Sequence, residues 1–170
     1  MIRISRRILC SAALGGLALS STTPGTAAAQ DVGSPIVGMW KYISNVQVET
    51  ASGKVVKPYG DKVSGYLTYT KGGRMLWAHF GDNRPKPAVP FTDADRAKLF
   101  NTLSAGSGTY TTDGKTLTVT YDSSWNEIWT GTTGKRTFEI VGNKLTVTSN
   151  PVKQADGVET TFVIVLERIE

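Results

Sequence analysis

The sequence predicts an all-β protein, an antiparallel barrel of eight to ten short strands with one short α-helix inserted. Three observations support this fold class. Apolar and polar residues alternate along several short segments, which is typical of strands with one buried face. Gly-Gly, Asp-Gly and Gly-Asn pairs separate these segments and indicate tight hairpins. Helical segments do not alternate with the strands, and a closed antiparallel barrel would leave no sheet edge unpaired.

The first long strand begins at Gly38-Met39-Trp40. Its alternation is broken at Ile43 and otherwise predicts one buried and one polar face. A turn at 51–54 leads to a short second strand that Pro58 either ends or confines to a sheet edge. The face predicted to be buried holds Trp40, Tyr42, Ser44, Val46 and Val48.

Further strands are predicted on both sides of three turns, at 71–74, 113–114 and 142–143. The last strand is predicted from Val158 to Ile169. One of its faces holds Phe162, Ile164, Leu166 and Arg168.

One helix is predicted, between the fourth and fifth strands. Thr92 is a suitable N-cap, and Asp93 and Asp95 place negative charge in the first turn, where the helix dipole favours it. The Gly-Ser cluster at 106–108 is expected to end the helix. Its apolar stripe would be Ala94, Ala97, Phe100 and Leu103.

Residues 1–29 have the pattern of a bacterial secretory signal peptide: a basic start, a short apolar run and Ala27-Ala28-Ala29 as a cleavage site. Arg6-Arg7 also resembles the core of a twin-arginine signal. We therefore expect a periplasmic or secreted protein, with a flexible lead-in at 30–37 and one domain at 38–170. The apolar run is too short for a membrane span, and no later stretch is long enough.

The composition argues against several classes of function. Without the three arginines of the predicted signal peptide, the formal net charge falls from +5 to +2, and the remaining basic residues are dispersed, so nucleic acid is not an expected partner. Cys10, the only cysteine, lies in that peptide, which leaves no disulfide and no thiolate nucleophile. His79 is the only histidine, and nothing in the sequence indicates a metal site or a cofactor.

Several short motifs follow one another along the predicted domain: Gly38-x-Trp40, Gly65–Thr70 with Gly73-Arg74-Met75, Gly108-Thr109-Tyr110, Trp129–Thr132 with Arg136–Ile140, and Glu167-Arg168. In this order they resemble the bacterial and fungal lipocalin-like domain family, whose fold is a calycin-type barrel. The resemblance implies a cavity for a small, largely apolar molecule. It also implies that Trp40 plugs one end of the barrel and that Arg168 lies across its indole ring. The resemblance further leads us to expect a histidine near Val119-Thr120-Tyr121, where this sequence has none.

Aromatic residues and His79 are the candidates for lining such a cavity. Aromatic rings bury much apolar area, and Tyr, Trp and His also offer a polar atom that can orient a ligand. No residue is predicted to be catalytic, because a general base needs an orienting partner that the sequence does not reveal. The candidate ligand-binding residues are Tyr66, Tyr69, Trp77, His79, Tyr110, Tyr121 and Trp129, with Trp125 as a further candidate for the lining.

We therefore expect an exported protein that binds a small hydrophobic or amphipathic molecule in its barrel, and two alternatives stay open. One is an isomerase or cyclase that shapes a substrate in the same cavity, with His79 or a tyrosine as acid or base. The other is an envelope module with a filled barrel whose outer surface binds a protein. A dry apolar cavity favours the binding protein, a shifted His79 pKa beside a carboxylate favours the enzyme, and a filled barrel favours the module.

Overall fold

The computed structural model describes residues 34–170 except Asn83 and Ala155. The predicted signal peptide at 1–29 and the first four residues of the predicted lead-in lie outside the described residues. Within the described part, no helix has both the length and the apolar character needed to cross a bilayer. The elements are β1 (Gly38–Glu49), β2 (Val55–Val56), β3 (Val63–Tyr69), β4 (Arg74–Gly81), α1 (Asp93–Asn101), β5 (Leu103–Thr112), β6 (Thr116–Ser124), a 3-10 turn (Glu127–Trp129), β7 (Thr133–Val141), β8 (Lys144–Ser149), β9 (Val152–Lys153) and β10 (Glu159–Arg168).

Eight long strands form a closed antiparallel barrel. They lie in the order β1, β3, β4, β5, β6, β7, β8 and β10, and β10 pairs back with β1 to close the ring. The two-residue strands β2 and β9 pair with β1 and β10. The predicted all-β barrel of eight to ten strands with one short helix is therefore confirmed, and closure leaves the long strands with a partner on both sides.

A β-bulge in β1 decides which side chains enter the barrel. The pairing of β1 with β10 shifts between Tyr42 and Ser44, so Ile43 is an extra residue in β1. One extra residue reverses the alternation beyond it. Ile43 is on the outer face and is 42% exposed, whereas Asn45, beyond the extra residue, faces inward and is 5% exposed. The prediction that Ser44, Val46 and Val48 share the buried face of Trp40 is wrong for this reason.

One end of the barrel is closed by Trp40, which is fully buried. Its indole N–H donates to the Ile36 carbonyl at 2.8 Å, and the guanidinium carbon of Arg168 lies 4.1 Å from the indole ring centroid. Arg168 also donates to the carbonyls of Pro35 and Val37. This part of the predicted lead-in is thus packed into the domain rather than flexible.

Helix α1 begins as predicted but does not bury an apolar face. The Thr92 hydroxyl accepts from the Asp95 N–H at 3.2 Å, and the Asp95 carboxylate accepts from the Thr92 N–H at 3.1 Å, which makes a capping box. None of the helix residues is buried. The predicted apolar stripe therefore does not face the core, and its Phe100 instead packs against Trp125 on the outer surface, with ring centroids 4.6 Å apart.

The glycine-rich segment at 106–108 is part of β5 rather than the end of the helix as predicted. The helix has already ended at Asn101. A Cβ atom on Gly106 would lie 2.3 Å from Cη2 of Trp77 and 2.6 Å from the carbonyl oxygen of Ser123, so a side chain here would collide with both. Glycine therefore allows the Trp77 ring to lie directly against β5.

Candidate functional site

Beyond Trp40 the barrel encloses a cavity of about 450 Å³. Every second residue of each strand faces the interior, so the strands contribute successive side chains as they run away from the closed end. The rim includes the exposed residues 150–152, and we call this part of the molecule the open half. Its lining includes the aliphatic and phenyl side chains of Leu67, Met75, Val147, Phe162 and Ile164 and the larger rings of Tyr42, Tyr59, Trp77, Tyr121 and Trp129.

A buried polar pair, Asn45 and His79, lies in the wall of the cavity. The amide Nδ2 of Asn45 donates to Nε2 of His79 at 3.2 Å, which places the proton of the neutral imidazole on Nδ1. Burial lowers the pKa of His79 from 6.5 to about 4, so the ring is neutral at pH 7. Oδ1 of Asn45 and Nδ1 of His79 are both buried without a hydrogen-bond partner among the described residues. The pair therefore offers the cavity one acceptor and one donor.

Aromatic rings hold this pair in position. The centroids of the Tyr42 and Tyr59 rings lie 4.6 Å and 4.5 Å from that of His79. Burial raises the pKa of both tyrosines, so they remain neutral phenols. Trp77 lies two residues before His79 on β4. Its indole N–H donates to the Ser104 hydroxyl at 3.0 Å, which fixes the orientation of the Trp77 ring. A ligand in the cavity would therefore meet rigid surfaces.

Arg136 brings a positive charge into the same cavity. It pairs in register with Leu117 of β6, which is fully buried, so both side chains point inward. Its Nη2 donates to the Tyr121 hydroxyl, and its guanidinium carbon lies 5.7 Å from the Tyr121 ring centroid. Trp129 lies beyond that ring, with centroids 6.2 Å apart. The site thus has a basic, aromatic wall in addition to the neutral Asn45–His79 pair.

The charges around the cavity are of one sign. Lys135 and Arg136 belong to the lining, and no described lining residue is an Asp or a Glu. The part of the chain that the structure describes also holds no group of three His, Cys, Asp or Glu residues that could bind a metal ion. The chemistry of these walls is therefore hydrogen bonding, aromatic contact and attraction of negative charge.

The closed barrel and the Trp40–Arg168 end agree with the comparison to known families, in which the sequence profile of the lipocalin-like domain matches residues 37–169. The chain belongs to the lipocalin-like domain family. The match spans all eight long strands and includes both residues that close the barrel. No curated protein matches the chain. The family membership predicted from the motifs is thus confirmed. It supports the barrel fold and, in general terms, ligand binding, but it identifies no ligand.

Four of the seven predicted ligand-binding residues line the cavity of this lipocalin-like barrel: Trp77, His79, Tyr121 and Trp129. Tyr69 and Tyr110 are instead buried towards the closed end, with ring centroids 4.9 Å apart. Tyr66 is 47% exposed on the outer surface, because its neighbour Leu67 takes the inward position of β3. Trp125 lies outside the lining, between Phe100 and Trp129. Ligand contact by any of these residues stays a prediction.

Sequence reasoning missed the polar half of the lining. Asn45 was assigned to the outer face because regular alternation was assumed through β1, whereas the bulge turns it inward. The only sign of the bulge in the sequence is Ile43, an apolar residue on the polar face. Arg136 did leave a signal, because it falls in phase with Phe138 and Ile140 on the inward side of β7. A charged residue on the apolar face of a strand is uncommon and should have been selected. Tyr42, Tyr59 and Ser104 are among the other lining residues that were not predicted.

Proposed function

We propose that the protein binds a small, largely apolar molecule inside its barrel and carries it in the bacterial envelope. The observation that carries the proposal is the cavity of about 450 Å³, which lies within the range of about 300–1,000 Å³ typical of sites for small organic ligands. Burying apolar ligand surface contributes about 25 cal/mol per Å² before the entropy cost of binding. The rigid aromatic walls would keep that cost low.

The Asn45–His79 pair supports a ligand with at least one hydrogen-bonding group. A buried donor or acceptor without a partner costs about 1–3 kcal/mol, and here Oδ1 of Asn45 and Nδ1 of His79 are both in that state. A ligand hydroxyl, carbonyl or amide group could meet one or both of them, and so could an ordered water. The pair would then fix the orientation of a ligand whose affinity comes mainly from apolar contact.

Export is part of the proposal and rests on the sequence. The basic start, the apolar run and the alanine cleavage site of residues 1–29 support secretion to the periplasm or beyond, by the general or the twin-arginine route. A carrier in that compartment would hold poorly soluble molecules away from water. Detecting a chain shortened at Gln30 in the periplasmic fraction would support export, and an uncleaved cytoplasmic chain would contradict it.

The alternative of a cavity enzyme has one observation in its favour. His79 is a neutral imidazole in the cavity wall, and its unpartnered Nδ1–H could donate to a substrate. Its partner, however, is the Asn45 amide, and no described carboxylate lines the cavity to orient the ring or stabilise its charged form. The cavity and its aromatic lining are therefore better explained by ligand binding than by catalysis. The cavity itself weighs against the third possibility, a barrel filled by side chains.

Native mass spectrometry followed by organic extraction is the direct test. The purified protein should retain a small molecule, or should bind one from a panel of fatty acids and terpenoids with a change in intrinsic tryptophan fluorescence. Ser149→Phe, which adds a ring to the lining, should abolish the binding. Thr148→Phe is the matched control, because the neighbouring side chain of β8 points away from the cavity. A protein that is empty and unresponsive, or equal effects of the two variants, would contradict the proposal.

A further inference from the structure

We propose that the ligand is an amphipathic acid, a molecule with one anionic group on an apolar body, and that Arg136 binds the anionic group. This deepens the proposed function and rests on it, because Arg136 can select the ligand only if the cavity binds one. The inference concerns the basic wall formed by Arg136 and Tyr121, which is separate from the Asn45–His79 pair.

The position of Arg136 is set by the pairing of β7. Its neighbours across the sheet are Leu117 of β6 and Ser149 of β8, and Ser149 also lines the cavity. Inward positions on β7 alternate with exposed ones, and Arg136 is half-buried between the exposed Lys135 and Thr137. The guanidinium group is therefore a part of the cavity wall and not a surface charge that happens to lie near the rim.

Arg136 has hydrogen-bonding capacity that the described protein atoms do not use. A guanidinium group has five N–H donors, and the contact found for Arg136 is the one from Nη2 to the Tyr121 hydroxyl. The ion pairs between described residues involve Lys54, Lys57, Arg74 and Arg96, so none supplies a carboxylate to Arg136. A charge removed from bulk water needs a partner, and the cavity is where that partner would lie.

The surroundings of Arg136 suit an anion in particular. Tyr121 accepts from Arg136, so its own hydroxyl hydrogen remains available to donate to a second acceptor. A carboxylate or sulfonate oxygen could accept from both groups, and the planar guanidinium favours such oxyanions. Since no described Asp or Glu lines the cavity, no fixed negative charge there would oppose the ligand.

The rest of the lining limits the charge to one anionic group on an apolar body. Leu67, Met75 and Ile164 offer apolar surface, and His79 is neutral at pH 7. Lys135 is exposed and its strand position points outward, so Arg136 is the cation directed into the cavity. A polyanion would leave further charges against apolar walls, which is costly.

A matched pair of fluorescent probes tests the inference. 1-Anilinonaphthalene-8-sulfonate carries one sulfonate, and N-phenyl-1-naphthylamine has the same aromatic body without it. The wild-type protein should bind the sulfonate probe about tenfold more tightly than the neutral one, since a hydrogen bond to a charged group contributes at least that factor. Arg136→Met should weaken binding of the sulfonate about tenfold and change binding of the neutral probe less than twofold. Arg136→Lys should fall between the two, because a lysine keeps the charge without the planar donors.

Arg74→Met is the control for net charge. It removes the same charge from an exposed position whose ion pair with Asp122 lies on the outer surface, and it should change the affinity for either probe less than twofold. Thermal melting of each variant shows whether it is folded, and Arg136→Lys keeps the test valid if Arg136→Met is not. Equal binding of the two probes, or an equal loss in Arg74→Met, would overturn the anion site while leaving the proposed function intact. If neither probe binds the wild-type protein or displaces a retained molecule, both proposals fail.

Discussion

The two ends of the barrel each pair an arginine with an aromatic ring, but they satisfy their polar groups differently. At the closed end, Arg168 lies over Trp40 at 4.1 Å and donates to backbone carbonyls of the chain just before β1. In the open half, Arg136 lies 5.7 Å from Tyr121 and has no carboxylate partner among the described residues. Nearby, the Asn45–His79 pair leaves two buried atoms without partners.

This difference indicates that the closed end stabilises the fold and that the open half is available to bind a ligand. Buried polar groups in proteins are nearly always hydrogen-bonded, because leaving them unpaired destabilises the folded state. At the closed end the Trp40 indole N–H and the Arg168 guanidinium group follow that rule, because both donate to backbone carbonyls. The hydroxyls of Ser34 and Tyr69 are buried there without a partner among the described residues, but they do not line the cavity. In the open half the unpartnered atoms belong to Asn45 and His79, which line the cavity, so a ligand could supply the missing partners. Sites that break such rules are expected where function requires it.

The largest effect should come from removing the plug of the closed end. Trp40→Ala should lower the free energy of unfolding by about 3–5 kcal/mol, because it leaves a large cavity among fully buried side chains. The matched change in the open half, Trp129→Ala, should cost less than about 2 kcal/mol, because Trp129 is only half-buried at the cavity. Urea unfolding measures both, and Trp40→Phe serves if Trp40→Ala does not fold. Equal losses would remove the distinction between the two ends.

The pH dependence of stability should report the buried His79. The unfolded chain has an ordinary histidine pKa near 6.5, whereas the folded pKa is about 4, so the unfolded chain binds more protons between these values. The free energy of unfolding should therefore be constant above about pH 7 and fall by at most about 3 kcal/mol as the pH drops towards 4. His79→Gln should lack this slope between pH 6.5 and 5, since the chain has no other histidine.

Titration of carboxylates should add little to the change in the free energy of unfolding between pH 6.5 and 5. The pKa of Asp113, for example, is lowered by hydrogen bonds from the backbone N–H groups of Thr116 and Lys115, so its contribution is lost only at lower pH. Urea titrations at several pH values provide the measurement. An unchanged slope in His79→Gln would show that the histidine is not the group responsible.

The smallest expected change in stability is also the most telling about function. Replacing both members of the polar pair, in Asn45→Leu with His79→Phe, removes their mutual hydrogen bond together with the two unpartnered atoms. The double variant should be within about 1 kcal/mol of the wild type or more stable, whereas each single variant should be destabilised by about 1–3 kcal/mol because one partner is left alone. Affinity for the retained ligand should fall in all three. A double variant as unstable as the single ones would mean that the pair serves the fold.

The fold was more predictable from the sequence than the site was. The alternation of β7 and β10 and the turns at Gly114 and Gly142 are local signals, and they led to the barrel and its hairpins. The inward position of Asn45 depends on how β1 pairs with β10, two strands at opposite ends of the domain, and the break in alternation at Ile43 does not by itself show that the pairing shifts there. The exposed Tyr66 shows the converse error, in which a residue type suggested a role that its place in the strand does not allow.

The central claim is that the open half binds a small molecule while the closed end does not respond. Proton–nitrogen NMR of the four indole N–H groups tests it directly, with N-phenyl-1-naphthylamine as the titrated ligand and single Trp→Phe variants for assignment. We predict saturable shifts of the Trp77 and Trp129 signals, since both rings line the cavity, and no shift of the Trp40 signal. Four signals that stay in place at high ligand concentration, or a Trp40 signal that moves as far as that of Trp77, would contradict the account.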